Sequence, residues 1–346
     1  MKYILTIAIP TYNRAQYLNI QLDNLIKQVN SYSDIEVLVS DNCSNDDTEL
    51  IVKNYNYSFI NYYKQIKNIG LDGNVLSCYE NAKGKYIWYL SDDDVVFEDS
   101  VQRVYDFISK NEFSVLAFSF CNIKNKIKCD KSIDSYRKYD SFLEDKSIED
   151  FFKVIMISTL VVKKIDIDMA CLRSLKPTIF PQITLCLTIL QNEFCLIAHD
   201  MNLLYREPGY ITGNFFELYC LKPREAVKNA NYKSEIEDQL LKHTEKSLKE
   251  FVRLSALEKI GFYKSKEGLP FKSFKKGIEE YKSNLNNLFL LTLIFLISKS
   301  PKLVILSTVY IAKFIEFKSI RKVIDYNNKL TQHLKKNIIS SRSSDV

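Results

Sequence analysis

Apolar and polar positions alternate along this chain in two distinct rhythms. Residues 3–9, YILTIAI, form an unbroken apolar, β-branched run closed by Pro10, which predicts a buried strand. Residues 15–29 then place Leu18, Leu22, Leu25, Ile26 and Val29 at helical spacing. The same exchange repeats. Strands are predicted at 35–42, at 59–65 and over the YIWYL run that follows Gly84, with helices at 45–55, 73–82 and from Glu98 to Asn111. Strand and helix taking turns from residue 3 to about 110 predict a parallel, doubly wound α/β sheet. Ligands of such sheets bind at the carboxyl ends of the strands. Four polar clusters fall at those ends: PTYNR, SDNCSND, KNIGLDGN and SDDD.

Beyond residue 115 the rhythm loosens. FSVLAFSF and residues 157–164 predict strands, 181–191 a buried helix, and 194–209 strands joined by a turn. Residues 122–147 are charged and irregular and read as a loop, and 221–260 as charged amphipathic helix. Two apolar runs between 286 and 318 are broken by SKSPK, and each is too short to span a bilayer. Basic residues flank them. They suit either a helical hairpin in the interface of an anionic membrane or a buried helical pair in a small bundle. The expected organisation is a domain over 1–215 and a helical C-terminal region over 216–346.

Composition changes this picture little. Apolar residues make up 46% of 346 residues, enough for a sizeable core, and the net charge of +6 is modest. The basic residues after Lys299 sit among aliphatic side chains, not aromatic stacking platforms, which argues against nucleic acid as a partner. Eight cysteines without CxxC spacing read as small buried hydrophobes of a reducing compartment. The N-terminal apolar run is short for a signal peptide and reads as the first strand, so a cytoplasmic protein is expected.

The acidic run Asp92–Asp93–Asp94 carries the chemistry. Three adjacent carboxylates repel one another, and at the mouth of a buried strand a divalent cation would offset that repulsion. Mg²⁺ or Mn²⁺, held by few protein oxygens and by substrate phosphates, suits such a site. Asp41, just past a strand end, can accept a hydrogen bond from a base N–H. Thr11 and Asn13 add polar groups, and the loop holding Asn68, Gly70 and Asn74 allows close backbone approach at the glycine.

The ordered series IAIPTYNR, VLVSDNCSNDDT, KNIGLDGN and AKGKYIWYLSDDD resembles the nucleotide-sugar domain of family 2 glycosyltransferases with the GT-A fold. Each motif is weak alone; four in order make a specific signal, good over residues 3–110 and looser to 210. The resemblance implies an inverting transferase using a nucleoside-diphosphate sugar, uridine by default. Its nucleotide-sugar site would comprise Pro10, Thr11, Asn13, Arg14, Asp41, Asn68, Gly70, Asn74, Asp92 and Asp93, and its metal site Asp92, Asp93 and Asp94. Thr11 and Asp41 would contact the base. A weaker likeness to O-antigen and capsule transferases, including the abequosyltransferase type, implies a lipid-linked saccharide acceptor. The enzyme would then work at the inner face of a bacterial membrane, held there by residues 286–318.

The pattern departs from the family in three places. One carboxylate is kept after the second strand, in Ser40–Asp41–Asn42. Ser91 stands at the first aspartate of the acidic motif. Gln182 falls where an aspartate general base is usual, and glutamine cannot take a proton. His199 and Asp200 are the nearest alternatives, although a structural role suits His199 equally well. Arg206 reads as a surface ion-pair partner or a diphosphate contact. Gln182 also leaves room for a catalytically inactive sugar-nucleotide-binding module. A nucleotidyltransferase is disfavoured because PTYNRAQY lacks glycine.

Overall fold

The computed structural model describes residues 3–122, 135–143, 145–206 and 222–243. These residues fall in one compact unit. The expected membrane segment at 286–318 lies outside the described residues. Among the described residues no helix is long and apolar enough to cross a membrane.

The first half alternates as its sequence predicts: β1 (Tyr3–Thr11), α1 (Ala15–Val29), β2 (Ile35–Asp41), α2 (Thr48–Asn54), β3 (Ile60–Lys64), α3 (Gly70–Asn81) and β4 (Gly84–Tyr89). There follow β5 (Asp94–Val96), α4 (Ser100–Lys110), β6 (Val115–Asn122), β7 (Tyr136–Tyr139), α5 (Asp145–Phe151), β8 (Leu160–Lys163), α6 (Met169–Ser174), α7 (Pro181–Asn192), β9 (Leu196–Arg206) and α8 (Lys222–Asn229). One sheet joins the strands in the order β3-β2-β1-β4-β8-β6-β9-β5, with β7 added against β9. Strands β1 to β4 are mutually parallel, β6 runs parallel to β9, and β8 is antiparallel to both β4 and β6.

Alternation across the pleat sorts the apolar residues into two layers. Ile7, Ile9, Val37, Val39, Tyr86 and Trp88 pack with Leu18, Leu22 and Leu25 of α1 and with Val101 and Val104 of α4. Ala8, Leu38, Ile87 and Tyr89 pack on the other face with Val75 and Leu76 of α3 and with Ile183 and Leu187 of α7. A sheet covered on both faces explains the unbroken apolar runs of its central strands. Pro10 fits into this central position because β4 pairs with β1 only as far as Ala8, so its missing N–H interrupts no ladder bond there.

Two expectations need correction. Over the described residues of the 194–209 stretch there is one strand and no turn: β9 is an eleven-residue strand whose pairing with β6 shifts register after Phe118. That irregularity re-aims the strand, so its first part pairs with β7 and its last part with β5. The charged stretch 122–147 is not loop throughout, because β7 lies within it.

Candidate active site

The carboxyl ends of β1, β2 and β4 come together because these strands are neighbours in the sheet. Thr11 ends β1 beside Asp41, the last residue of β2. Asn74 on α3 ties the two ends together: its Nδ2 donates to Ser40 O at 2.9 Å and Thr11 O at 3.3 Å, and Ser40 Oγ donates back to its Oδ1 at 2.7 Å.

The loops after β1 and β2 are laced to each other. Asn13 N donates to Ser44 Oγ at 2.9 Å, and Asn45 N donates to Asn13 Oδ1 at 2.8 Å. Ala15 N donates to Asp46 Oδ2 at 2.9 Å. Asn13 and Cys43 take left-handed backbone conformations, with φ of 52° and 65°. Strained backbone of this kind persists where surrounding contacts over-determine it, and it gathers at ligand sites. Asn42 fixes the third loop: its Nδ2 donates to Asn68 Oδ1 and Gly70 O, and Ile69 N donates to its Oδ1. Gly70 has φ of 76°, and a Cβ there would meet nothing within 4 Å, so conformation rather than crowding asks for glycine.

Asp41 is fully buried. Its Oδ1 accepts from Ser44 N at 2.8 Å and its Oδ2 from Tyr62 Oη at 2.6 Å. In this arrangement the carboxylate shapes the 42–46 loop from behind. Burial first, then the bond to Asp41, pushes the Tyr62 hydroxyl well above its ordinary range, so it stays a donor.

The acidic triplet divides at a turn. Thr11 Oγ1 donates to Asp92 Oδ2 at 2.8 Å. The Arg14 guanidinium spans two carboxylates, with Nη1 3.2 Å from Asp92 Oδ1 and Nη2 2.7 Å from Asp93 Oδ2. Ser91 Oγ donates to Asp93 Oδ1. The Asp92 side chain is 3% exposed and that of Asp93 25%. Burial pushes the Asp92 carboxyl up to about 6, against the opposing pull of Arg14 and the Thr11 hydrogen bond. Asp94 starts β5 and is buried. Among the described residues no three His, Cys, Asp or Glu side chains converge as a set of metal ligands. The grouping that does form is Asp92 with Asp93. Two hard oxygen donors, one of them open to solvent, fit a cation that takes its remaining ligands from substrate phosphate.

Ser158 anchors this loop, and no local sequence signal marks it. Its Oγ accepts from Ser91 N at 2.8 Å, and its carbonyl accepts from Trp88 Nε1 at 3.0 Å. The lone tryptophan therefore pins the strand that presents the aspartates. From the opposite face Gln21 Nε2 reaches Ser91 O at 3.1 Å and Asn24 Nδ2 reaches Val96 O at 2.8 Å. Tyr12, 40% exposed, stands on the loop after β1 and also went unremarked in the sequence.

The residues considered for proton transfer lie in two places. Gln182 is buried in the first turn of α7. The segment before it is held by Asp72 on α3, whose carboxylate accepts from Thr178 N at 2.8 Å and Ile179 N at 3.0 Å. A cleft of about 260 Å³ opens here, lined by Gly70, Leu71, Lys176, Thr178 and Pro181 among others. His199 is buried on β9 with its ring against Phe107 and Tyr136. Asp200 pairs with Arg137 at 3.3 Å and Lys153 at 3.2 Å. Burial raises its carboxyl, but the Lys153 bond and the nearby cations outweigh that and hold it below the ordinary range. Arg137 also grips the buried Asp150. The described bonds of Asp200 thus join it to β7 and the residues after α5, not to the acidic loop.

The architecture matches solved glycosyltransferase structures. TarS of S. aureus aligns with a TM-score of 0.53 over 85% of this chain and 52% of its own, at 17% identity. Its 1–349 fragment in complex with UDP aligns with a TM-score of 0.52 over 85% of this chain and 86% of its own, at 18% identity. The described unit accordingly has the GT-A fold. Sequence narrows this further: residues 6–157 match the glycosyl transferase family 2 model. Abequosyltransferase RfbV of Salmonella typhimurium is 37% identical over 102 residues, 28% of this chain and 30% of its own length. The GalNAc(5)-diNAcBac-PP-undecaprenol beta-1,3-glucosyltransferase of Campylobacter jejuni is 28% identical over 46% of this chain and 54% of its own. The chain thus spans about a third to a half of these relatives.

Proposed function

We propose that this chain is an inverting glycosyltransferase that moves a sugar from a nucleoside-diphosphate donor to a lipid-linked saccharide in bacterial surface polysaccharide synthesis. The observation that carries this reading is the array Thr11–Asp92–Arg14–Asp93, built where β1 and β4 end side by side on the ligand-binding edge. A nucleoside fits the 11–14 and 42–46 loops, with Tyr12 offering an exposed ring for the base. Asn68 and Gly70, held by Asn42, would flank the nucleoside on a third side, and Asn74 ties the ends of β1 and β2 together. Mn²⁺ or Mg²⁺ held at Asp92 and Asp93 would offset charge on the departing diphosphate. Arg14 brings the cation that this chain itself supplies to the same place. The acceptor class is suggested by the Campylobacter jejuni relative, a glucosyltransferase named for a PP-undecaprenol-linked saccharide. The cleft between α3 and α7 would admit the acceptor, and contact with the inner face of the membrane would come from 286–318.

The candidate bases are His199 and Asp200, since the position usual for the base holds Gln182. Gln182 cannot take a proton, and Asp200 is committed to ion pairs that weaken it as a base.

The test is a donor panel. Purified protein is titrated with nucleotide sugars in Mn²⁺, Mg²⁺ or EDTA, beside Asp93→Ala. Binding of one sugar nucleotide, enhanced by metal and lost in the variant, supports the proposal. Binding that ignores both metal and the substitution overturns the assignment of the acidic loop.

A further inference from the structure

The Arg14 guanidinium occupies the position that charge balance would otherwise give to a metal ion. It does not grip one carboxylate with both nitrogens, the usual fork geometry. It divides them, Nη1 to Asp92 and Nη2 to Asp93, and so bridges the two groups whose repulsion a cation would relieve. The other oxygen of each carboxylate accepts from a hydroxyl, Thr11 Oγ1 on Asp92 and Ser91 Oγ on Asp93. Asp92 is closed to solvent, while Arg14 is 38% exposed at the start of α1. Its outer flank lies over the ring of Tyr17, with the guanidinium carbon 4.8 Å from the centroid. The guanidinium is thus held in place on one side by charge and on the other by an aromatic face, yet it has a solvent side into which it can swing.

The geometry points to Arg14 as an intramolecular cation latch: in the donor-free protein it competes with a divalent ion for Asp92 and Asp93. Both carboxylates become available to metal together only when the guanidinium leaves them, and an incoming diphosphate supplies the anion that draws it off. Metal and donor would then bind as a pair, each weak without the other. This inference rests on reading the acidic loop as the diphosphate and cation site.

The experiment titrates Mn²⁺ into the full-length chain without nucleotide, following the free-ion electron paramagnetic resonance signal. Wild type, Arg14→Gln, Arg14→Lys and Arg14→Gln/Asp93→Asn are compared, with folding checked by Trp88 fluorescence. Removing a cation 3 Å from two carboxylates is expected to tighten nucleotide-free Mn²⁺ binding by about tenfold or more. Lysine, a point charge that cannot span both groups, should give a smaller gain, and the added Asp93→Asn should abolish it. In wild type, adding UDP should tighten Mn²⁺ binding; in Arg14→Gln that enhancement should shrink. A folded Arg14→Gln protein that binds Mn²⁺ no better than wild type overturns the latch. If UDP still binds with metal in that case, the latch alone has failed. If Mn²⁺ binding tightens in Arg14→Gln while no nucleotide binds any variant, the latch stands and the donor reading falls.

Discussion

Gly84 opens β4 where the chain leaves almost no room. Its N–H donates to Thr6 Oγ1 at 2.8 Å. A Cβ built there would lie 2.5 Å from Thr6 N, 2.7 Å from Leu5 C and 2.9 Å from Thr6 Oγ1. Two of these atoms are backbone of the central strand β1, so no side-chain rotation relieves the overlap. Gly84→Ala should therefore force β4 away from β1. Overpacking of this kind costs about 1–3 kcal/mol. The same movement weakens a buried network. Thr6 Oγ1 donates to Glu36 Oε1 at 2.6 Å, and that carboxylate, buried completely, also accepts from Lys83 N and Asn61 Nδ2. Loosening hydrogen bonds on a buried charge adds about 1–2 kcal/mol. The expected total is about 2–5 kcal/mol. The chain's one tryptophan, Trp88, lies buried in this strand. Urea unfolding followed by its fluorescence therefore reads the affected unit directly. Adding Thr6→Ala should not rescue the variant, because the shortest contacts are to backbone. A Gly84→Ala protein within about 0.5 kcal/mol of wild type, the range of an ordinary surface substitution, would refute the argument.

Other consequences follow from the site. Thr11→Val and Asp92→Asn should be non-additive in a stability cycle, with coupling of about 1.5–3 kcal/mol for a hydrogen bond to a buried charge; additivity in urea melts would deny the bond. Ser158→Ala leaves Ser91 N without its acceptor, so it should cost about 1–2 kcal/mol and also weaken donor affinity measured by calorimetry. General-base loss costs about 10²–10⁴-fold in rate, so Asp200→Asn, at less than about tenfold in a transfer assay, should separate a structural aspartate from a base. The buried Asp150 has its carboxyl held low: burial raises it, but the Arg137 and Tyr139 bonds and Lys153 outweigh burial. A depressed folded value stabilises above the unfolded value near 4 and is lost as pH falls through the folded one. Asp150→Asn should accordingly flatten the acid limb of a stability–pH curve below about pH 4.

The first half of the fold was legible because its signals are local. Pro10, Asp41 and the acidic run each sit within a few residues of an apolar run, and sheet topology alone brings their loops together. The second half was not legible for physical reasons. A register shift in β9 has no sequence signature, so one long strand read as two short ones. β7 is a four-residue edge strand, YRKY, whose charges hide its pairing. Glu36 looks like an exposed position, but three donors from β1, β3 and the start of β4 bury it. Ser158 acts on Ser91 across 67 residues, and only tertiary structure shows that contact.

The acidic triplet shows most clearly what sequence leaves open. Read along the chain, three aspartates invite a single metal cage. The turn at Ser91 gives them three environments instead. Asp92 is buried beneath Thr11, Asp93 faces partly outward, and Asp94 is drawn into β5 by its pairing with β9. Each neighbour relieves part of the repulsion that adjacency creates: Arg14 by charge, Thr11 and Ser91 by donated hydrogen bonds. A site that balances itself in this way has no standing need for an ion, and it should acquire one only with the diphosphate that brings additional negative charge. Electrostatics of this kind would couple donor and metal binding without any large movement, through the displacement of one arginine side chain.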